Sequence, residues 1–166
     1  MEQHWRIELL DGLRAMTGER VITRFRTRKA AALLAYLAYH PGPHAREVLG
    51  EMLWPGHEPA PGRNNLNVAL SSLRRLLEPG DAPAGSVVVA DRIYVGLNAV
   101  AVTTDVDDFE AALQAASTAQ SAVAPNDAEH IQHLSAAVQL YGGALLPGHY
   151  EDWIVPEEQR LSLIHI

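Results

Sequence analysis

Leu66, Leu70, Leu73 and Leu77 recur at the spacing of one helix face, in a stretch bounded by Pro59 and Pro61 before it and Pro79-Gly80 after it. At about 100° per residue the other three leucines fall within roughly 40° of Leu66. So narrow an apolar stripe must be buried, and the chain has to build a core around a helix running from Arg63 to Leu77. Burying that stripe also decides what faces away. Asn64, Val68, Ser71 and Arg75 lie opposite it, Asn67, Ser72 and Arg74 lie at its margins, and no acidic residue occurs from Arg63 to Leu77.

The surrounding sequence supplies the partners. Trp5, Ile7 and Leu9 alternate with Arg6 and Glu8, and a second extended stretch, Val21 to Phe25, follows the Thr17-Gly18 turn signal, which predicts a small N-terminal sheet. Thr27 can cap an apolar helix over Ala30 to Tyr39, stopped by His40-Pro41-Gly42. A shorter helix spans Arg46 to Leu53 and halts at Trp54-Pro55-Gly56. Beyond the leucine helix, Val87 to Val89 and Ile93 to Val95 flank Ala90-Asp91-Arg92 as a hairpin, and Val100 and Val102 fit a further strand. A small sheet, three helices and a closing hairpin is the order of a winged helix-turn-helix, an α+β fold, over residues 1–104. From Asp105 to Arg160 the pattern is helical. Val106, Phe109 and Leu113 share one face and Ile131, Leu134 and Val138 another, with a small-residue linker from Ser117 to Asn126 closed by Pro125.

Charge divides at the same place. The formal net charge is −7, yet of the 13 Lys and Arg all but Arg160 precede Asp105, whereas half of the 20 acidic residues follow Thr104. This asymmetry points to a basic binding module joined to an acidic one with another task. Cysteine is absent, which excludes disulfides, thiol nucleophiles and thiolate metal sites. With no apolar run long enough to span a bilayer and no secretory pattern at Met1 to Arg6, the expectation is a soluble, cytoplasmic protein.

The face opposite the leucines has the side chains that a helix needs in a major groove. Asn pairs bidentately with adenine, Arg with guanine or phosphate, Ser with base edges or phosphate, and Val68 can meet a thymine methyl. The residues alone leave a second reading open, the plain solvated face of an amphipathic helix. Arg63 opens that helix, the basic run Arg24 to Lys29 places Arg28 and Lys29 at another helix N-terminus, and Arg92 sits at the expected hairpin tip. Each is a candidate DNA contact. A protein-interaction adaptor that binds no DNA is the alternative function. Glu129, His130 and His133 fall near one helix face without a second ligand cluster, and Asp105, Asp107 and Asp108 lack calcium-loop spacing. Without a phosphate-cradling loop or nucleophile motif either, the expectation is no enzyme, no cofactor and no metal.

Three runs also carry a family resemblance: Arg28 to Ala38, Met52-Leu53-Trp54-Pro55, and Arg63-Asn64-Asn65-Leu66 continuing to Ala69-Leu70-Ser71-Ser72-Leu73-Arg74-Arg75. They closely resemble the Streptomyces antibiotic regulatory protein (SARP) type of activator. That family joins an OmpR-like winged-helix domain to a bacterial transcriptional activator domain of tetratricopeptide-like helices. Tyr141 to Gly148, then Asp152-Trp153, look like the start of the second domain. The resemblance implies a sequence-specific activator that binds promoter DNA at tandem direct repeats, as a head-to-tail pair, and recruits RNA polymerase or its sigma factor. It implies nucleoid association, with the Arg63–Leu77 helix in the major groove and the hairpin near Arg92 on the minor groove or backbone. Asn67 departs from the pattern, standing where many relatives carry a basic residue. Leu161 to Ile166 read as translated sequencing-adapter sequence, an expected non-native tail on a protein expected to be longer.

Overall fold

The computed structural model describes residues 4–18, 20–56, 59–80, 82–121, 127–149 and 151–165. The chain is α+β, with two small sheets and six helices among those residues. It divides into two compact units. The first comprises residues 1–7 and 14–103, and the second comprises 8–13 and 104–166. No described helix is long and apolar enough to cross a membrane.

The first unit opens with β1 (Trp5–Glu8), β2 (Arg14–Met16) and β3 (Val21–Ile22), which with β7 (Val102–Thr104) form a sheet of order β3-β2-β1-β7. The alternation read in the sequence places Trp5, Ile7 and Leu9 fully inside. The second extended stretch is shorter than expected, two residues rather than five. Helix α1 (Arg28–Tyr39) begins where expected, because the Thr27 hydroxyl accepts from the Ala30 amide at 3.0 Å. Eight of its residues are buried, which explains a run with hardly a polar side. The strand β4 (His44–Ala45) leads into α2 (Arg46–Leu53), which buries Leu49 and Leu53.

Helix α3 spans Pro59–Leu77 and so starts a turn earlier than the prolines suggest. Proline is tolerated there because first-turn amides have no intrahelical acceptor to lose. Leu66, Leu70, Leu73 and Leu77 are all buried, as the stripe requires. The helix C-terminus is held from outside: the Trp5 indole N–H donates to the Leu77 carbonyl at 3.0 Å, and Arg20 donates to the Leu76 carbonyl at 3.4 Å. Both partners satisfy carbonyls that the helix leaves unpaired.

A second sheet follows, of order β4-β6-β5, with β5 (Val88–Ala90) and β6 (Tyr94–Leu97) antiparallel through Val88↔Leu97, Val89↔Gly96 and Ala90↔Val95. Its tip is an Asx turn. Asp91 Oδ1 accepts from the Ile93 and Tyr94 amides at 2.8 and 2.7 Å. Those donors favour the ionised carboxylate and hold Asp91 below the ordinary 3.8, with Arg46 adding to the effect. At the other edge β4 pairs with β6 through His44↔Val95 and Ala45↔Tyr94. Gly96 permits this packing, since a Cβ there would lie 2.8 Å from the Gly42 carbonyl oxygen. The loop leading into β5 is held by Glu78 and, at the Ser86 carbonyl, by the Asn98 side-chain amide. Glu78 accepts from Gly85, Val87 and Val88 amides at 3.2, 2.9 and 2.7 Å.

The second unit contains α4 (Asp105–Ser121), α5 (Asp127–Leu140) and α6 (Ile154–His165). Asp105 is buried at the start of α4 and accepts from the Leu9 and Leu10 amides at 2.8 and 3.0 Å, which fastens the 8–13 segment to this unit. Burial pushes its carboxyl above the usual range even though both amides pull it down. Two expectations change here. Part of the supposed linker, Ser117 to Ser121, is helical, because Ala and Gln among its small residues sustain α4; Pro125 lies outside the described residues. The stripe Ile131, Leu134 and Val138 stays exposed, at 61%, 38% and 52%, and α5 buries Ala137 instead. Residues 161–165 continue α6, where Leu161 is buried and the Ser162 hydroxyl lies within hydrogen-bonding distance of Tyr141 and Glu158.

Glu78→Ala should leave the buried Val87 and Val88 amides without their acceptor and lower stability by about 3 kcal/mol. Glu78→Gln, which keeps one acceptor oxygen, should cost less, and equal denaturation midpoints for both variants would refute this role. Acid should release the hairpin tip late. The stabilisation from Asp91 is present above the unfolded value and is lost as pH falls through the lower folded value. The Ile93 and Tyr94 amide shifts, followed by NMR, should therefore move below pH 3.8. A transition centred above that value would contradict the turn.

Candidate nucleic-acid interface

Two surfaces of α3 face away from its leucines, and the first unit treats them differently. On the outer one Asn64, Val68, Ser71 and Arg75 are exposed, Val68 at 55%. With no carboxylate on the helix and Arg74 and Arg75 in its last turn, nothing acidic on α3 opposes an anion approaching that face. Ser72, read in the sequence as a margin residue, is instead 93% buried, being only 7% exposed. Its neighbour Ala69 is small, so the packed stripe widens past the leucines and covers Ser72 as well.

The flank of α3 that turns toward the hairpin forms the wall of an open cleft of about 510 Å³. Arg63, Asn67 and Arg74 come from α3, Asp91 and Arg92 from the hairpin tip, and Arg46 from the first residue of α2. Four guanidinium groups thus line one depression beside a single carboxylate, and that carboxylate already accepts two backbone amides. The Arg74 Nε is buried without a hydrogen-bond partner among the described residues. Such a setting is matched to an anion with several acceptor oxygens, since arginine presents a planar fork of donors and keeps its charge.

Arg46 was not legible as part of this site. Its amide donates to the Ile93 carbonyl at 2.8 Å, continuing the β4–β6 pairing into the helix. Its side chain then bridges two elements, with Nε donating to the Asp91 carbonyl at 2.7 Å and Nη1 to Asn67 Oδ1 at 2.9 Å. A two-residue strand such as β4 leaves no periodic trace in sequence, so only the pairing reveals the bridge.

The other candidates lie elsewhere. Arg28 and Lys29 form the first turn of α1 and are not among the residues lining the cleft. In the second unit the His130 Nδ1 lies 2.7 Å from the Ala116 carbonyl, and His133 pairs with Glu129 at 3.6 Å. Among the described residues no group of three or more His, Cys, Asp or Glu is placed to hold a metal ion.

No protein-family model and no curated protein matches the sequence. Among solved structures the chain is similar to Mycobacterium tuberculosis EmbR, determined in complex with a low affinity phosphopeptide, at 22% identity and a TM-score of 0.79. The match covers 99% of this chain and 43% of that one. At this identity the likeness is one of fold alone.

Proposed function

We propose that the first unit is a winged helix-turn-helix that binds double-stranded promoter DNA, and that the chain serves as a SARP-type transcriptional activator rather than an enzyme. The observation that carries this reading is the convergence of Arg46, Arg63, Arg74 and Arg92 on one cleft beside a helix free of carboxylates. In this reading α2 and α3 are the helix-turn-helix and the β5–β6 hairpin is the wing. The outer face of α3, with Asn64, Val68, Ser71 and Arg75, enters the major groove. Asn67, at the margin of that face, reaches the same groove, Arg92 reaches the minor groove or the backbone, and the phosphate strand dividing the two grooves passes the arginines of the cleft. The EmbR-like fold supports this assignment without carrying it.

The acidic second unit is assigned to protein contacts, with RNA polymerase or its sigma factor as the partner, and its helices to a tetratricopeptide-like arrangement. The exposed Ile131, Leu134 and Val138 favour a protein-binding role for that unit. Head-to-tail pairing on tandem direct repeats, and a place in the cytoplasm at the nucleoid, rest on the SARP resemblance of the sequence.

Affinity for promoter duplexes, read by fluorescence polarisation, should fall steeply with salt. Replacing Arg74 and Arg75 together by alanine should weaken binding to all sequences and lower the salt slope by about two. Binding indifferent to ionic strength would reject the DNA reading and favour an adaptor. Asn64→Ala and Ser71→Ala should instead relax sequence preference, by about 1–3 kcal/mol at one base pair each. A loss spread evenly over all sequences would move these two residues to the backbone.

A further inference from the structure

We infer that Arg46 is a positioning residue that fixes the base preference of Asn67, restricting it to a hydrogen-bond donor toward DNA. The inference rests on the DNA reading above. An asparagine amide can ordinarily turn over and offer either its oxygen or its nitrogen outward, and pairing with adenine uses both. Here the choice is made chemically. Guanidinium nitrogens only donate, so the amide atom 2.9 Å from Arg46 Nη1 must be the Asn67 oxygen. The amide nitrogen then points away from Arg46, has no partner among the described residues, and belongs to an exposed side chain in the wall of the arginine cleft.

Arg46 is itself immobilised, which makes it able to hold another group. Its amide is tied to Ile93 and its Nε to the Asp91 carbonyl, and Asp91 is locked by its own turn. The orientation of one amide on α3 is thereby set by the hairpin tip. A donor held in this way recognises an acceptor on a base edge, such as guanine O6 and N7 or thymine O4, and loses the bidentate match to adenine. The departure noted at Asn67 acquires a physical sense: the positive charge lies one step away, on the residue that orients it.

Selection from a pool of fully randomised DNA duplexes, followed by sequencing, tests this with three full-length proteins. Arg46→Met keeps a long unbranched side chain and removes every donor toward the Asn67 oxygen. Asn67→Asp keeps an acceptor for Arg46 and removes the donors, and it stays informative if the methionine variant loosens the hairpin. The parent should enrich a motif with an acceptor edge required at one base pair. Both variants should lose that discrimination, by about 5- to 100-fold, and keep the rest of the motif. An unchanged motif in Arg46→Met overturns the inference while the DNA reading stands, and so does an even loss over all sequences in Asn67→Asp. If the parent enriches nothing, the DNA reading itself fails and the inference falls with it.

Discussion

The interaction on which the first unit depends is the seating of α3. Its inner stripe of four leucines is buried, and its last carbonyls are taken by Trp5 from β1 and by Arg20 from beyond β2. Burying four leucine side chains is worth several kcal/mol, but for function the geometric consequence matters more. A helix pinned along one stripe and at one end cannot rotate about its axis, so its outer face is presented in one orientation. Glu78, directly after the helix, extends the same control by holding the start of β5 through three amides. The hairpin is in this way built from the end of the helix that it flanks. An interface that uses both elements needs their spacing fixed before any ligand arrives, because ordering them on binding would cost affinity.

Much of this was legible in the sequence because it follows from periodicity and punctuation. The leucine repeat, the Thr27 cap, the stops at Pro41-Gly42 and Pro55-Gly56 and the hairpin around Asp91 and Arg92 each have a local physical cause. What was not legible depends on long-range pairing. Ser72 is buried because the core widens around Ala69, which helix angles alone do not reveal. Arg46 is part of the cleft because β4 docks on β6, a pairing of two residues. The apolar stripe of α5 shows the converse failure. Ile131, Leu134 and Val138 have the spacing of a buried face, yet α5 packs through Ala137. Small side chains let helix backbones approach closely, and the helical period does not say which of two stripes will win. Asp105 is a similar case, since the sequence around it does not reveal that it holds the Leu9 and Leu10 amides.

A chain with net charge −7 can still offer an anion-binding surface because charge acts locally. At physiological ionic strength the screening length is about 8 Å, so a phosphate group responds to the side chains around it far more than to the total. In the cleft the local count is four arginines to one aspartate, and the aspartate is already engaged by backbone donors. The two remaining glutamates of α2, Glu47 and Glu51, are not among the residues lining the cleft, and Glu78 spends both oxygens on the β5 loop. Of the acidic residues so accounted for, those near the cleft stabilise the fold that holds the arginines in place. The same arrangement limits the arginines themselves. Arg46 is committed to Asp91 and Asn67, which leaves Arg63, Arg74 and Arg92 as the cations that can meet a phosphate directly, and it is through Arg46 that the hairpin controls how α3 presents its amide.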